Sequence, residues 1–391
     1  MTAKFEYSQV TDREDAQKLK NIIAQCFIAL REDTDFYFNC IGLENFRLIR
    51  RDRQIAGGLA TIPMSQWWGG SPVPTIGLAA VGIAPEHRGD GSAIALLQHT
   101  LKECHTKGVP ISALYPATQR LYRKAGYEQG GFFCSWEIST NSIQIKEQPL
   151  PLLAVSPEEE AFHNLYPQKA KFNNGYLDRH QAIWQQIIKP DNNETVYAYL
   201  IGTVEQPQGY IIFSQHQDRD GSFIKIRDWV VLTPKAAQTV WSFLANHRSQ
   251  IQSVHWKGSP IDTLTLLLPE QTAQQKSTFR WMLRIVDVAK ALEKRGYFSA
   301  TQTELHLDIK DDLLPENNGK FILSVANGQG EVRTGGKGEM KLDIKGLAPL
   351  YTGLYTPYQL QQAAYLDATE TALLAATQIF AGASPSMSDF F

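Results

Sequence analysis

The run Glu86–Leu101, EHRGDGSAIALLQHTL, gathers an arginine, two glycines and a helix-like pattern into one short stretch. Gly89 and Gly91 have no Cβ, so backbone N–H groups beside them can approach a phosphate closely. Arg88 adds a charged donor. Asp90 is the odd member, because a carboxylate repels a phosphate, and it is expected to point to solvent. Glu86 and His87 flank the loop and are expected to face the anion or solvent. A plain strand-to-helix turn uses the same glycines, so the loop alone leaves both readings open. Arg88-Gly89-Asp90 also spells a cell-adhesion tripeptide, which would require an extracellular face.

The neighbouring elements favour anion chemistry. GLAAVGIAP (77–85) reads as a buried strand stopped by Pro85. After the loop, Ile94, Leu97, Leu101 and Cys104 step by three and four, which predicts an amphipathic helix closed by Gly108. The free N–H groups and dipole of such a helix's first turn attract an anion. Upstream, residues 12–27 carry a helical stripe with a possible capping box at Thr11 and Glu14, and 46–50 and 54–63 read as strands. Downstream, ISALYPA (111–117) reads as a strand, and TQRLYRKA as a short helix before Gly126.

At 391 residues the chain is long enough for two or three domains. Its net charge of −2 leaves no bulk electrostatic footprint for nucleic acid. Cys26, Cys40, Cys104 and Cys134 are scattered, without a CxxC pair, which fits a reduced compartment. The start MTAKFEYSQVTDRED lacks an apolar signal core, and Ala368–Ala383 is too short and interrupted to span a bilayer. The expectation is a cytoplasmic protein with no membrane, nucleic-acid or metal partner.

The spacing Arg88-x-x-Gly91-x-Ala93, with the apolar strand before it and LYRKAGY (121–127) after it, resembles the acetyl-CoA-binding core of GNAT-superfamily N-acetyltransferases over about residues 1–150. The resemblance implies a splayed strand whose Val81, Gly82 and Ile83 backbone groups pair with the pantetheine arm. It also implies a coenzyme site of Arg88, Gly89, Asp90, Gly91, Ser92, Ala93, Ile94, Ala117 and Thr118. Acetyl transfer to an amine needs a deprotonated amine, a polarised thioester carbonyl and a protonated leaving thiolate. Tyr122 sits where the superfamily places its general acid, with Tyr127 as the alternative that packs on the sheet.

Beyond a proline-spaced linker at 150–157, strands at 196–201, 209–214 and 223–232 precede a helix at Ala236–His247. The order repeats the first unit, but TPKAAQT lacks the glycine loop, so a degenerate acetyltransferase-like domain is expected at 151–280. From Trp281, WMLRIVDVAKALEKRGY reads as a helix, followed by strands at 304–310, 321–326 and 340–344 and two helices around Pro357–Tyr365 and Ala368–Phe380. The fold class is thus α/β (α+β): tandem GNAT-like domains at 1–150 and 151–280, then a sterol-carrier-protein-like domain at 281–391.

This arrangement, with "AVGIAPEHRGDG" and "RIVDVAKALEKRGY", resembles the enhanced intracellular survival (Eis) acetyltransferases. The resemblance implies that the tail GASPSMSDFF returns to the first domain and that the α-carboxylate of Phe391 is the catalytic base. It further implies a homo-oligomer, trimer or hexamer, and as acceptor an amine of an aminoglycoside-like polycation or a lysine side chain. An acidic, aromatic pocket would suit a polycation, and Glu32, Asp33, Asp35, Phe36 and Tyr37 are its candidate residues; Glu32 and Asp35 are also the reserve bases. A solvated acidic loop is the competing reading of that segment. The sequence departs from the family at Asp90 and Phe390. The alternative functions are a lipid or sterol carrier built on the third domain, and an N-myristoyl-type acyltransferase, which would lack that domain.

Overall fold

Apolar strands separated by amphipathic helices assemble one long sheet and one short one. The structure is a computed structural model, and it describes residues 5–27, 34–190 and 194–391. The first unit comprises β1 (Phe5–Gln9), α1 (Arg13–Cys26), α2 (Thr34–Ile41), β2 (Phe46–Arg51), β3 (Gln54–Trp68), β4 (Ser71–Ile83), α3 (Ser92–Thr106), β5 (Ile111–Leu114), α4 (Gln119–Lys124) and β6 (Glu128–Ser139). The second comprises β7 (Leu152–Val155), α5 (Ala161–Ala170), β8 (Leu177–Asp178), α6 (Gln181–Ile188), β9 (Val196–Gly202), β10 (Pro207–Asp218), β11 (Gly221–Val231), α7 (Pro234–Ala245), β12 (Ser253–Gly258) and β13 (Gln274–Ile285). The third comprises α8 (Val288–Lys294), β14 (Thr303–Lys310), β15 (Gly319–Ala326), β16 (Gln329–Thr334), β17 (Met340–Asp343), α9 (Ile344–Thr352), α10 (Pro357–Gln362), β18 (Leu366–Ala368) and α11 (Glu370–Phe380).

The long sheet runs β1-β2-β3-β4-β5-β13-β6-β12-β11-β10-β9-β7, with β8 added to β3, so it passes without a break from the first unit into the second. Its central member, β13, corrects the helix expected from Trp281. Trp281, Met282, Leu283, Arg284, Ile285 and Val286 are all fully buried, because β13 is flanked by β5 and β6. A continuous apolar run of that length fits a strand buried on both faces as well as a buried helix. The helix begins only at Val288, capped by Asp287, so the third unit starts after β13. Two smaller corrections follow the same logic of local pairing. The linker segment contains β7, which pairs with β9. The cap of α1 is Asp12, whose carboxylate accepts the Asp15 N–H at 2.8 Å.

One departure from regular pairing shapes the site. β4 and β5 run parallel from Thr75/Ile111 to Leu78/Leu114 and then part. At that point β4 bulges against β3, and Ala80 adopts φ +48°. A bulge bends its strand and ends local pairing, and here it opens a cleft between the C-terminal ends of β4 and β5.

In the third unit the sheet order is β16-β15-β14-β17-β18. The alternating Leu305, Leu307 and Ile309 of β14 turn into a core shared with Leu347 and Leu350 of α9 and Leu373, Ala376 and Ile379 of α11. Side chains from those helices thus fill the apolar face that a lipid carrier would need to keep open. Arg284 of β13 joins the two sheets: its Nη2 donates to both oxygens of Asp311, at 2.7 and 2.6 Å, and both side chains are buried. Asn317 completes the set with a 2.9 Å bond to Asp311. Asp311→Ala should cost about 3–5 kcal/mol, because it strands a buried guanidinium. Urea unfolding with an unchanged m-value checks this, and a loss below about 1 kcal/mol would contradict it.

Candidate functional site

The cleft between β4 and β5 leads to two adjoining cavities. The smaller, about 400 Å³, is lined by Ile83, His87, Arg88, Gly89, Gly91, Ala93, Ile94, Thr118, Arg120, Leu121 and Lys124. Gly89 and Gly91 have φ of +84° and +94°, a left-handed backbone that glycine adopts without strain. The N–H groups of Gly89, Gly91, Ala93 and Ile94 have no acceptor among the described residues. Unpaired amides at the start of α3, together with Arg88, Arg120 and Lys124, make a site for a multiply charged anion. The donor set therefore fits the pyrophosphate of a coenzyme.

Asp90 corrects its expected exposure. It turns away from the cavity, pairs with Arg51 and His87, and accepts the Ser92 N–H at 2.8 Å. Burial alone would raise its pKa, but hydrogen bonds from Ser92 and Arg51 hold it at about 2. It thus buttresses the loop instead of opposing the anion. Ser92 is buried, and Gly82 pairs with Gly58 of β3; neither lines a cavity.

The larger cavity, about 840 Å³, lies between the first and second units. From the first unit it is lined by Phe36, Tyr37, Val81, Tyr115, Ala117 and Tyr122, among others. The Tyr122 hydroxyl has no hydrogen-bond partner among the described residues, and burial pushes its pKa up to about 12. Tyr127 differs. It is fully buried away from both cavities, and its hydroxyl is engaged with Ser112 at 2.8 Å.

Ser388, Asp389, Phe390 and Phe391 line this cavity as well. Ser386 forms a parallel bridge with Phe132 of β6, flanked by Phe132 N–H to Pro385 and Met387 N–H to Phe132, both 2.9 Å. Asp389 is buried and bonds the Arg179 guanidinium at 3.0 and 3.1 Å, and its carbonyl accepts from Tyr115 at 2.7 Å. Arg179 also pairs with Asp228 and stacks on Tyr166 at 3.7 Å. Beyond this clamp, Phe390 packs on Tyr115 with centroids 4.5 Å apart. The Phe391 ring fills the space over Gly77, where a Cβ would come within 2.7 Å of it. Among the described residues, no ion pair engages the terminal carboxylate.

The structure therefore brings Val81, Ala117, Tyr122, Phe36, Tyr37 and Phe391 to the larger cavity and Ile83, Arg88, Gly89, Gly91, Ala93, Ile94 and Thr118 to the smaller. Glu32 and Asp33 lie outside the described residues. Asp35 does not line the cavity: it sits in the first turn of α2, exposed, and pairs with Lys20. Sequence reasoning missed Arg120 and Lys124, although their i, i+4 spacing places them on one face of α4. It also missed Lys225, Arg227, His255, Lys257 and Lys276, which the second unit contributes to the larger cavity.

Comparison with known proteins agrees with these units. A model described as an Acetyltransferase (GNAT) domain matches residues 6–130, and a second of the same description matches 175–285. A Sterol carrier protein domain matches 288–388. A solved GCN5-related N-acetyltransferase from Anabaena variabilis is 61% identical, covers 99% of this chain and 100% of its own, and superposes with a TM-score of 0.97. The N-acetyltransferase Eis of Mycobacterium tuberculosis is 24% identical over 322 residues, 77% of this chain and 76% of that protein. Eis1 from Mycobacterium abscessus, 21% identical, shares the fold across 99% of this chain and 100% of its own, with a TM-score of 0.83.

Gly91→Glu should abolish binding of acetyl-CoA. It forces a side chain into a left-handed position and a carboxylate into the anion site. Calorimetric titration checks this, and unchanged affinity would refute the loop assignment.

Proposed function

Since this chain belongs to the GCN5-related N-acetyltransferases, with the Eis-like order of two such domains and a sterol carrier domain, we propose that it moves the acetyl group of acetyl-CoA directly onto an amine held in the larger cavity. Arg88, Arg120, Lys124 and the free amides of the glycine loop hold the pyrophosphate. Val81 and Ala117, on the two sides of the β4–β5 opening, flank the pantetheine arm. The coenzyme supplies the thioester carbonyl that the amine attacks.

Two groups of this chain handle the protons. As the C–N bond forms, the nitrogen becomes strongly acidic, and the Phe391 carboxylate takes its proton. A free α-carboxylate ordinarily titrates near about 3.5, so the amine attacks in its neutral form, having lost its extra proton to solvent, and the carboxylate accepts the second proton from the nitrogen as the C–N bond forms. As the C–S bond breaks, Tyr122 gives its hydroxyl proton to the departing thiolate. The observation that carries this reading is the unpartnered Tyr122 hydroxyl lining the same cavity as the docked Phe391, while Tyr127 is engaged elsewhere.

The second unit lacks a glycine loop, so one coenzyme per chain is expected. A homo-oligomer belongs to the same proposal; exposed Ile261 and Leu266 offer apolar surface for it. The expected acceptor, an amine of a polycation or a lysine side chain, calls for acidic walls. Glu137 is a carboxylate of the cavity, but it is flanked by Lys276 at 3.3 Å and His255 at 3.5 Å.

Tyr122→Phe should keep coenzyme affinity and lower kcat by roughly 10²–10⁴-fold, the usual worth of a general acid. Thiol release with a permissive amine reads kcat, and calorimetry reads affinity and stoichiometry. Because Tyr122 ionises only near about 12, wild-type kcat should show no alkaline loss up to about pH 10, where an ordinary tyrosine half-ionises. A near-normal kcat in the variant, or an alkaline limb well below that pH, would remove Tyr122 from the donor role.

A further inference from the structure

The wall of the larger cavity opposite the glycine loop is basic. It is one face of the long sheet, where side chains alternate in and out. β11 presents Phe223, Lys225 and Arg227, β12 presents His255 and Lys257, and Lys276 comes from β13. Cross-strand register places Lys225 beside His255, His255 beside Glu137, and Lys257 beside Ser135. Like charges on neighbouring sheet positions repel, so the carboxylates nearby matter. Glu137 serves His255 and Lys276. Glu194 serves Arg227 at 2.8 Å, His216 at 3.0 Å and Lys225 at 4.0 Å. Asp389 is committed to Arg179.

Lys257 is left over. Among the described residues no carboxylate pairs with its ammonium, whose partner is the Phe133 ring at 4.6 Å. Its side chain is exposed to the cavity, where partial desolvation, with Lys225 and Arg227 nearby, lowers its pKa against the pull of Asp389. Phe133 in turn packs on Tyr115 at 5.5 Å and on Phe390 at 6.0 Å. The unpaired ammonium therefore sits one aromatic ring away from the terminal dipeptide.

We propose that the acceptor amine also carries an anionic group, a carboxylate or a phosphate, that docks on Lys257 while the amine meets the Phe391 carboxylate. Phe223 and Trp136 line the cavity and provide apolar surface for the body between the two ends. A polycation would set one of its charges against the unpaired Lys257. An amine with an anionic end instead supplies the carboxylate or phosphate that Lys257 lacks and gains a charge-assisted hydrogen bond. This inference rests on the larger cavity being the acceptor site of the acetyl transfer.

The test uses the full chain with acetyl-CoA and three matched acceptors: phenethylamine, 4-(2-aminoethyl)benzoate and tyramine phosphate. At least one anionic acceptor should exceed phenethylamine in kcat/KM by about tenfold or more. Lys257→Gln should collapse that ratio, and Lys257→Arg should preserve most of it, with melting temperature as the check on folding. The carboxylate and phosphate arms identify which anion the site takes. Calorimetry with 4-ethylbenzoate, which has no amine, reads the anion site without chemistry: wild type should bind it, and Lys257→Gln should bind it about tenfold more weakly. Binding through Lys257 with no acetylation of any amine would overturn the transferase reading and leave the anion site standing. Acetylation with no anionic preference, a ratio indifferent to Lys257→Gln, or a clear preference for kanamycin over all three would overturn the anion site.

Discussion

A single buried guanidinium holds the end of this chain in the middle of the molecule. Arg179 is almost wholly enclosed between Asp228 and Asp389 and lies flat on Tyr166. Arginine suits the position because its planar fork serves two carboxylates at once and stays charged when buried. Neither acid could stand alone there: burial opposes the charged form of both, and breaking such a set by removing one partner is strongly destabilising, by about 3–5 kcal/mol. The arrangement does little for net stability compared with an apolar core. What it provides is placement: with Asp389 fixed, Phe390 and Phe391 line the larger cavity, and their rings pack on Tyr115, Phe133 and Gly77.

The sheet makes that placement meaningful. Because β13 is inserted between β5 and β6, both acetyltransferase-like units share one continuous surface. The bulge at Ala80 parts β4 from β5 on the side where the tail lands. The opening therefore faces the glycine loop on one side and the basic strands of the second unit on the other. The second unit has no glycine loop between β11 and α7, yet it supplies a wall of the larger cavity.

What could be read in the sequence follows the range of the interactions. The glycine loop and its helix were legible because Gly89, Gly91 and the three-four stepping of α3 are local signals. The candidates Tyr122 and Phe391 came through family resemblance, which also set Tyr127 apart as a packing residue, and the geometry brings the first two, not Tyr127, to the larger cavity. The helix read from Trp281 is a strand as far as Ile285 and a helix over Val288–Lys294, since burial of the strand on both faces removes the alternation that marks it. Asp90 looked like a misplaced charge because its partner, Arg51, is far away in sequence. The same distance hid the Arg179 clamp and the lysines of β11 and β12, whose meaning depends on which strands become neighbours.

The account stands or falls on the terminal carboxylate. Semisynthesis of the chain with Phe391 ending in a carboxamide removes the charge and the proton acceptor while keeping both rings and the Asp389 clamp. If the carboxylate is the base, kcat for amine acetylation should fall by roughly 10²-fold or more, with coenzyme affinity and melting temperature unchanged. A carboxamide enzyme that acetylates amines at the wild-type rate would contradict it.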